Sequence, residues 1–180
     1  MSKLKYNQDI VNSIKGKLGT SIEYLKEIES SLAVQMVDWF NVKCIYAYKK
    51  ENRMGFQKLP DDMKKGDIVL AEMGINIHPE LSDNGTDKHF VLIWGQQGQN
   101  FIVIPLTKHP QPESNKYAVN LGKIDGLPEN IDSYAKLDAI RSMSVRRIHR
   151  IGEQPKGKIT LTDINLLNKI NMIFITQFIY

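Results

Sequence analysis

The sequence predicts an α+β protein in which an N-terminal helical hairpin precedes a small antiparallel β-barrel with a C-terminal helix. Two observations predict this fold. Apolar residues recur at spacings of three and four between 7 and 50, which is the period of an amphipathic helix. From Gly66 the pattern changes to short runs of β-branched and aromatic residues separated by turn residues, and such runs indicate antiparallel strands.

The helical part is predicted to contain two helices. The first covers 7–31, and its apolar stripe consists of Ile10, Ile14, Leu18, Ile22, Leu25 and Ile28. The second covers 31–50, and its apolar face consists of Val34, Val37, Phe40, Cys44 and Ala47. Two helices with broad apolar faces suggest a hairpin. We therefore predict a helical N-terminal extension over 1–63 and the barrel domain over 64–180.

The barrel part is predicted from short strands followed by a helix. The strand candidates, with a turn at 95–98 between the second and third, are 67–71, 89–94, 101–104, 116–121, 133–140 and 144–151. A capping-box-like segment, Thr160 to Asp163, precedes the last helix. That helix is expected to face inward with Ile164, Leu167, Ile170 and Phe174.

Composition excludes several classes of protein. A hydrophobic content of 42% against 24% charged residues is too high for a disordered chain. The most apolar stretch, 171–180, is far shorter than the roughly 20 residues that a membrane helix needs. The single Cys44 cannot form an internal disulfide, so we expect a reducing, cytoplasmic location. We interpret Cys44 as a small buried hydrophobic residue rather than as a nucleophile.

The positive charge is unevenly distributed. The net charge of +4 arises from residues 1–65, whereas residues 66–180 are neutral. Within the neutral part, 136–158 contains seven basic and two acidic residues, and such a local cluster hints at contact with nucleic acid. A solvated face with scattered arginines is the alternative. The four histidines and the cysteine have no metal-ligand spacing, so neither a metal nor another cofactor is expected.

Several motifs follow one another in the second part of the chain. They are Lys65-Gly66-Asp67-Ile68-Val69, Lys88-His89-Phe90-Val91-Leu92-Ile93, Ile104-Pro105-Leu106-Thr107, Leu137-Asp138-Ala139-Ile140-Arg141-Ser142 and Arg146-Arg147-Ile148. In order and spacing, over about 64–176, they resemble the MazF/PemK family of toxin endoribonucleases. Residues 1–63 lie outside the resemblance.

The resemblance implies an SH3-like barrel that forms a homodimer. It implies cleavage of single-stranded RNA by attack of the 2′-hydroxyl, without a metal, and inhibition by a small antitoxin protein. Related proteins of the same scaffold inhibit DNA gyrase instead. A non-catalytic protein that binds RNA or inhibits gyrase is therefore the alternative reading.

The resemblance also implies roles for individual residues. Lys88 stands where the family has an arginine, so it is expected to hold the phosphate and shuttle a proton. Thr107 is expected to donate a hydrogen bond to a phosphate oxygen. Lys136 and Asp138 match an arginine and an aspartate of the PemK branch, although Lys136 again replaces an arginine. Asp138 is either a general base or the partner that orients Arg141.

The remaining candidates are expected to contact RNA around these groups. Arg141 follows an apolar strand and should reach a phosphate, with an intramolecular ion pair as the alternative. Ser142 belongs to the same motif. Lys108 and His109 begin a loop directly after Thr107, which makes them rim candidates. His89 follows Lys88, and it is either near the phosphate path or structural.

Overall fold

The fold is described from a computed structural model, which describes residues 3–54, 60, 62–74, 88–127, 131–152 and 155–179. By its internal contacts the chain divides into two units, Met1–Ile45 and Tyr46–Tyr180. The predicted boundary at 63/64 remains a prediction. Helix α1 covers Gln8–Leu25 and helix α2 covers Ser30–Glu51, close to the two predicted helices. The side chain of Asn7 caps α1 by accepting a hydrogen bond from the backbone N–H of Ile10, which satisfies a free donor of the first turn.

The apolar faces of α1 and α2 are largely exposed to solvent. Neither helix buries any residue, and Ile10, Ile22 and Phe40 are 49%, 53% and 49% exposed. Cys44 is exposed as well, so its interpretation as a buried hydrophobic residue was wrong. The amphipathic period predicts which residues share a face, but it does not predict what covers that face.

In its described residues, the second unit contains the end of α2, eight strands and a C-terminal helix. The strands are β1 Asp67–Ala71, β2 His89–Gln97, β3 Asn100–Thr107, β4 Ala118–Lys123, β5 Asp132–Lys136, β6 Arg141–Ser144, β7 Ile148–His149 and β8 Ile159–Thr160. Helix α3 covers Ile164–Phe178. The carboxylate of Asp163 caps α3 by accepting from the N–H groups of Asn165 and Leu166.

All strand pairs are antiparallel, and the α+β class is confirmed. The main path of the sheet is β4-β5-β3-β2-β1-β7, with β6 added to β3 and β8 added to β1. Within the described residues this path does not return on itself, so the sheet is open and the SH3-like barrel is not confirmed.

Three predicted element boundaries were wrong. The hairpin turn lies at 98–99 rather than at 95–98, because β2 continues to Gln97 across a bulge between Ile93 and Gly95. The predicted strands 133–140 and 144–151 are each interrupted by a 3-10 turn, at Leu137–Ala139 and Val145–Arg147. Leu137 and Val145 stay buried inside these turns, so the apolar pattern continues although the strand does not.

Two apolar clusters lie on the two faces of the central strands. One contains Ile68, Leu92 and Ile104, and α3 covers it with Leu167, Ile170 and Phe174. The other contains Val69, Val91 and Val103. Alternate strand residues point to opposite faces, which explains the division. Three of the four predicted inward residues of α3 pack here, but Ile164 is 62% exposed.

Trp94 packs against the first cluster. Its ring centroid lies 5.7 Å from that of Phe174 on α3. The ammonium of Lys65 lies 3.6 Å from the centre of the indole ring, a cation–π contact. The indole therefore supports the packing of α3 on the sheet.

Candidate active site

The start of β2 and the end of β3 meet at one edge of the sheet. Val91 pairs with Pro105, and continuing this register places His89 opposite Thr107 and Lys88 opposite Lys108. By this register, five of the predicted site residues lie at or next to these two neighbouring strand ends: Lys88, His89, Thr107, Lys108 and His109. Residues at strand ends are positioned by the sheet while their side chains stay accessible, which is the arrangement that a binding site needs.

The hydroxyl of Thr107 is oriented by its own loop. Its Oγ1 accepts a hydrogen bond from the backbone N–H of His109 at 3.2 Å. A hydroxyl that accepts one hydrogen bond keeps its own hydrogen for a second one. Thr107 can therefore donate to an anion at this edge, as predicted for a phosphate oxygen.

Lys88 is in contact with a carboxylate that sequence reasoning missed. Its Nζ lies 3.9 Å from Oε1 of Glu72, which directly follows β1. The same Oε1 lies 2.7 Å from Nε2 of His149 on β7. The hydroxyl of Tyr46 donates to the other carboxylate oxygen of Glu72. Four elements thus bring a lysine, a glutamate, a histidine and a tyrosine together; we call these four residues the Glu72 cluster.

The Glu72 cluster is partly shielded from water. The side chains of Glu72, His149 and Lys88 are 19%, 32% and 34% exposed. Burial lowers the pKa of the His149 imidazole below its ordinary value of 6.5, the Lys88 ammonium lowers it further, and Glu72 opposes both. His149 is therefore neutral at pH 7. A neutral imidazole beside a cation is able to accept a proton.

Arg147 fixes the backbone that carries Glu72. Its Nε donates to the carbonyl of Glu72 at 2.8 Å, and its Nη2 donates to the carbonyl of Met73 at 2.6 Å. In return, the N–H of Glu72 donates to the carbonyl of Arg147 at 3.0 Å. The sequence suggested nucleic-acid contact for this arginine as part of the basic stretch, but the guanidinium is used inside the protein.

We expect Arg147→Met to destabilise the protein by about 2–3 kcal/mol, because two carbonyls lose charge-assisted donors. Urea-induced unfolding measures this loss. Lys123→Met, which removes an exposed cation at the end of β4, is the control and should change the free energy of unfolding by less than about 0.5 kcal/mol. Equal stability of the two variants would contradict the role of Arg147.

Lys136 and Asp138, the two residues that the resemblance to the PemK branch singled out, lie at the end of β5, the strand next to β3. Nζ of Lys136, the last residue of β5, lies 3.5 Å from Oδ2 of Asp138. Thr107 pairs with Tyr134 of β5, so Lys136 lies two residues further along that strand. The side chain of Arg141 donates from Nε to the carbonyl of Ala139 at 3.4 Å. The partner recorded for Asp138 is thus Lys136 rather than the predicted Arg141.

Arg141 and Ser142 lie away from the edge formed by Lys88 and Thr107. They pair with Val103 and Ile102 in the middle of β3. Thr107 lies four positions beyond Val103 along β3, or about 13 Å at the usual rise. A ligand that contacts both places must therefore be longer than a single phosphate.

The basic stretch 136–158 is largely used for internal contacts. Besides Lys136 and Arg147, the guanidinium of Arg150 forms two hydrogen bonds of 2.9 Å with the carboxylate of Asp62. Nζ of Lys158 lies 2.6 Å from Oδ2 of Asp67. The charge count therefore overestimated the free positive charge of this stretch, because its acidic partners are distant in sequence.

Two further observations concern the described ranges only. Across 3–54, 60, 62–74, 88–127, 131–152 and 155–179, no three His, Cys, Asp or Glu side chains are placed to hold a metal ion. In the same ranges, no helix is long and apolar enough to cross a membrane. His78, which the sequence suggested as a loop histidine, lies outside the described residues.

Comparison with known protein families gives a match. Residues 64–173 match the model of a family described as PemK-like, MazF-like toxin of type II toxin-antitoxin system. No curated protein matches the chain. The match covers well over half of the chain, and every predicted site residue lies inside it. Helices α1 and α2, which include Tyr46, lie outside it.

Proposed function

The chain belongs to the PemK-like, MazF-like family of toxins of type II toxin–antitoxin systems, and on this basis we propose that it is an endoribonuclease that cleaves single-stranded RNA. The 2′-hydroxyl of the substrate attacks the adjacent phosphorus, so that the products are a 2′,3′-cyclic phosphate and a 5′-hydroxyl. No metal ion takes part. The observation that supports the proposal is that the Lys88 ammonium and the His149 imidazole both approach the Glu72 carboxylate, at the start of β2, where the neighbouring strand β3 ends in Thr107.

The reaction needs three kinds of group: donors, a base and an acid. The crowded phosphorane needs donors for its extra negative charge, and we assign them to Lys88 and Thr107. The 2′-oxygen needs a base and the leaving 5′-oxygen needs an acid. The Lys88 ammonium is the acid in this scheme. Lysine provides a point charge where arginine provides a two-pronged donor, which here is compatible with proton donation.

The RNA chain extends from this edge in our proposal. Lys108, His109 and His89 contact the nucleotides next to the cleaved bond, and all three belong to the same strand ends. Arg141 and Ser142 contact phosphates or sugars further along, about 13 Å from Thr107 in the strand direction. Lys136 and Asp138, as an ion pair beside the path, orient the substrate. The working toxin is a cytoplasmic homodimer whose partner is a cognate antitoxin protein.

Incubation of purified, antitoxin-free protein with a single-stranded RNA in the presence of EDTA tests the proposal. We expect cleavage products that end in a 2′,3′-cyclic phosphate. The same oligonucleotide with 2′-O-methyl groups is the matched control and should stay intact, because it lacks the attacking hydroxyl. Intact RNA in both samples would overturn the endoribonuclease assignment. The non-catalytic alternative would be supported if a protein that does not cleave RNA still arrests growth. It would then either inhibit gyrase or bind RNA without cutting it.

We expect Thr107→Val to reduce cleavage about 100-fold, as the loss of one donor to the transition state does in other enzymes. Valine has nearly the shape of threonine but cannot donate. Single-turnover rates at saturating protein measure the effect. Thr107→Ser keeps the hydroxyl and should stay within about fivefold of the original rate. Equal rates for the valine and serine variants would remove Thr107 from the site.

A further inference from the structure

The Glu72 cluster contains a histidine that neither the motifs nor the comparisons assign. Nε2 of His149 is buried and lies 2.7 Å from Oε1 of Glu72. The contact is a close electrostatic one rather than a well-aligned hydrogen bond. The exposed third of the side chain therefore belongs to its other atoms.

The contact with Glu72 selects one tautomer of the ring. A nitrogen lone pair at 2.7 Å from a carboxylate oxygen would be repelled, so Nε2 carries the hydrogen. The lone pair of the neutral ring then lies on Nδ1. A carboxylate that fixes the tautomer of a histidine in this way prepares the other nitrogen to accept a proton.

The carboxylate itself is held from several directions. Tyr46 donates to one of its oxygens, and the other oxygen lies between Lys88 and His149. Arg147 holds the main chain on both sides of the residue. Glu72 thus has little freedom to move away from the imidazole, which is what a positioning residue requires.

We propose that His149 is the general base that takes the proton of the 2′-hydroxyl and that Glu72 is its positioning residue, an assignment that rests on the proposed RNA cleavage. The proton moves from O2′ to Nδ1 as the O2′–P bond forms. The P–O5′ bond breaks, and O5′ takes a proton from the Lys88 ammonium. Exchange with solvent then returns a proton to Lys88 and removes one from His149.

Substrate binding would strengthen this base. The groups that act on His149 are Glu72 from the end of β1, Lys88 from the start of β2, and Lys49 from α2; both lysines lower its pKa. Tyr46 on α2 reaches His149 only through the Glu72 carboxylate. A phosphate bound at Lys88 cancels part of the repulsion between the two cations. The pKa of His149 then rises towards neutrality, where a base is most effective.

Cleavage rates as a function of pH test the assignment. We expect His149→Gln to reduce kcat/KM about 100-fold at pH 7 and added imidazole to restore part of the activity of His149→Ala. In the original protein, kcat/KM should fall on the acid side with a pKa below 6.5, because the protonated ring cannot act as base. Glu72→Gln removes the group that raises this pKa, so it should move the acid limb to lower pH.

Controls separate a catalytic role from a structural one. Glu27→Gln, the same chemical change at an exposed position of the N-terminal unit, should leave both rate and pH profile unchanged. A Glu72 that only stabilised the fold would lower the rate without moving the acid limb. If the His149 variants fail to fold, NMR titration of His149 in the original protein tests the assignment instead. Its pKa must equal the one that governs free-enzyme cleavage, and a mismatch overturns the assignment.

The two proposals fail in different ways. An original protein that leaves RNA intact at every pH overturns RNA cleavage and the base assignment together. An active protein whose His149→Gln variant keeps the full rate and the same acid limb overturns the base assignment alone. Loss of activity with imidazole rescue and a matching NMR pKa supports both.

Discussion

Lys88→Met should reduce RNA cleavage about 1,000-fold, at the upper end of what the loss of one charged donor costs in an active site. Methionine keeps much of the length of the side chain but removes the ammonium, which in our scheme both binds the phosphate and protonates the leaving oxygen. Lys88 is about one-third exposed and contacts Glu72 at the surface of the cluster, so the fold should tolerate the change. Single-turnover cleavage of a short single-stranded RNA measures the loss, and circular dichroism checks the fold.

Lys88→Arg is the matched variant for this test. It introduces the arginine that the resemblance implies for this position while keeping the positive charge. We expect it to cleave within about tenfold of the original protein, because an arginine holds the phosphate in a bidentate manner but donates a proton less readily. Lys123→Met controls for the loss of one unit of charge far from the edge. A Lys88→Met protein that cleaves at more than about a tenth of the original rate would exclude the assigned role.

The sequence predicted the order of elements well and their ends less well. The hydrophobic period is a local property, so it located α1, α2, the β2–β3 hairpin and α3. It could not show that the chain turns at Leu137 and Val145, because both residues stay buried in 3-10 turns and so continue the apolar pattern. The hydrophobic period also did not predict that Cys44 is exposed. Burial depends on a partner surface, and the sequence of a helix does not contain that surface.

The motifs run along single strands, so they indicate residues that lie at neighbouring strand ends. Lys88, His89, Thr107, Lys108 and His109 lie at such ends, since β2 and β3 are neighbours in sequence as well as in space. Glu72 and His149, however, are 77 residues apart and meet only because β7 pairs with β1. The one available signal was the position of Glu72 immediately after a buried strand, where polar side chains remain accessible.

The same limit explains why the basic stretch was misread. A count of charges along 136–158 treats every cation as free. In the fold, Lys158 is paired with Asp67 and Arg150 is paired with Asp62. Both aspartates lie in or before β1, about 90 residues earlier in the sequence. Charge that pairs across such a distance stabilises the fold and is no longer available for a ligand.

Asp67 of the Gly-Asp motif is therefore structural. Its carboxylate is completely buried and receives hydrogen bonds from the N–H of Lys64 at 2.9 Å and the hydroxyl of Thr160 at 2.7 Å. The ammonium of Lys158, at 2.6 Å, supplies the opposite charge. Together these contacts join the start of β1 to β8, which pairs with it through Asp67 and Thr160.

Lys158→Met should lower the free energy of unfolding by about 3–5 kcal/mol, because it leaves the buried carboxylate of Asp67 without its cation. The loss is large against the roughly 5–15 kcal/mol that a typical domain has in total. Urea-induced unfolding, followed by the fluorescence of Trp94 between Lys65 and α3, measures it. The double variant Asp67→Asn, Lys158→Met removes both charges, so it should lose less than the two single variants added together. Full additivity, or a Lys158→Met protein as stable as Lys123→Met, would show that the pair contributes nothing to the fold.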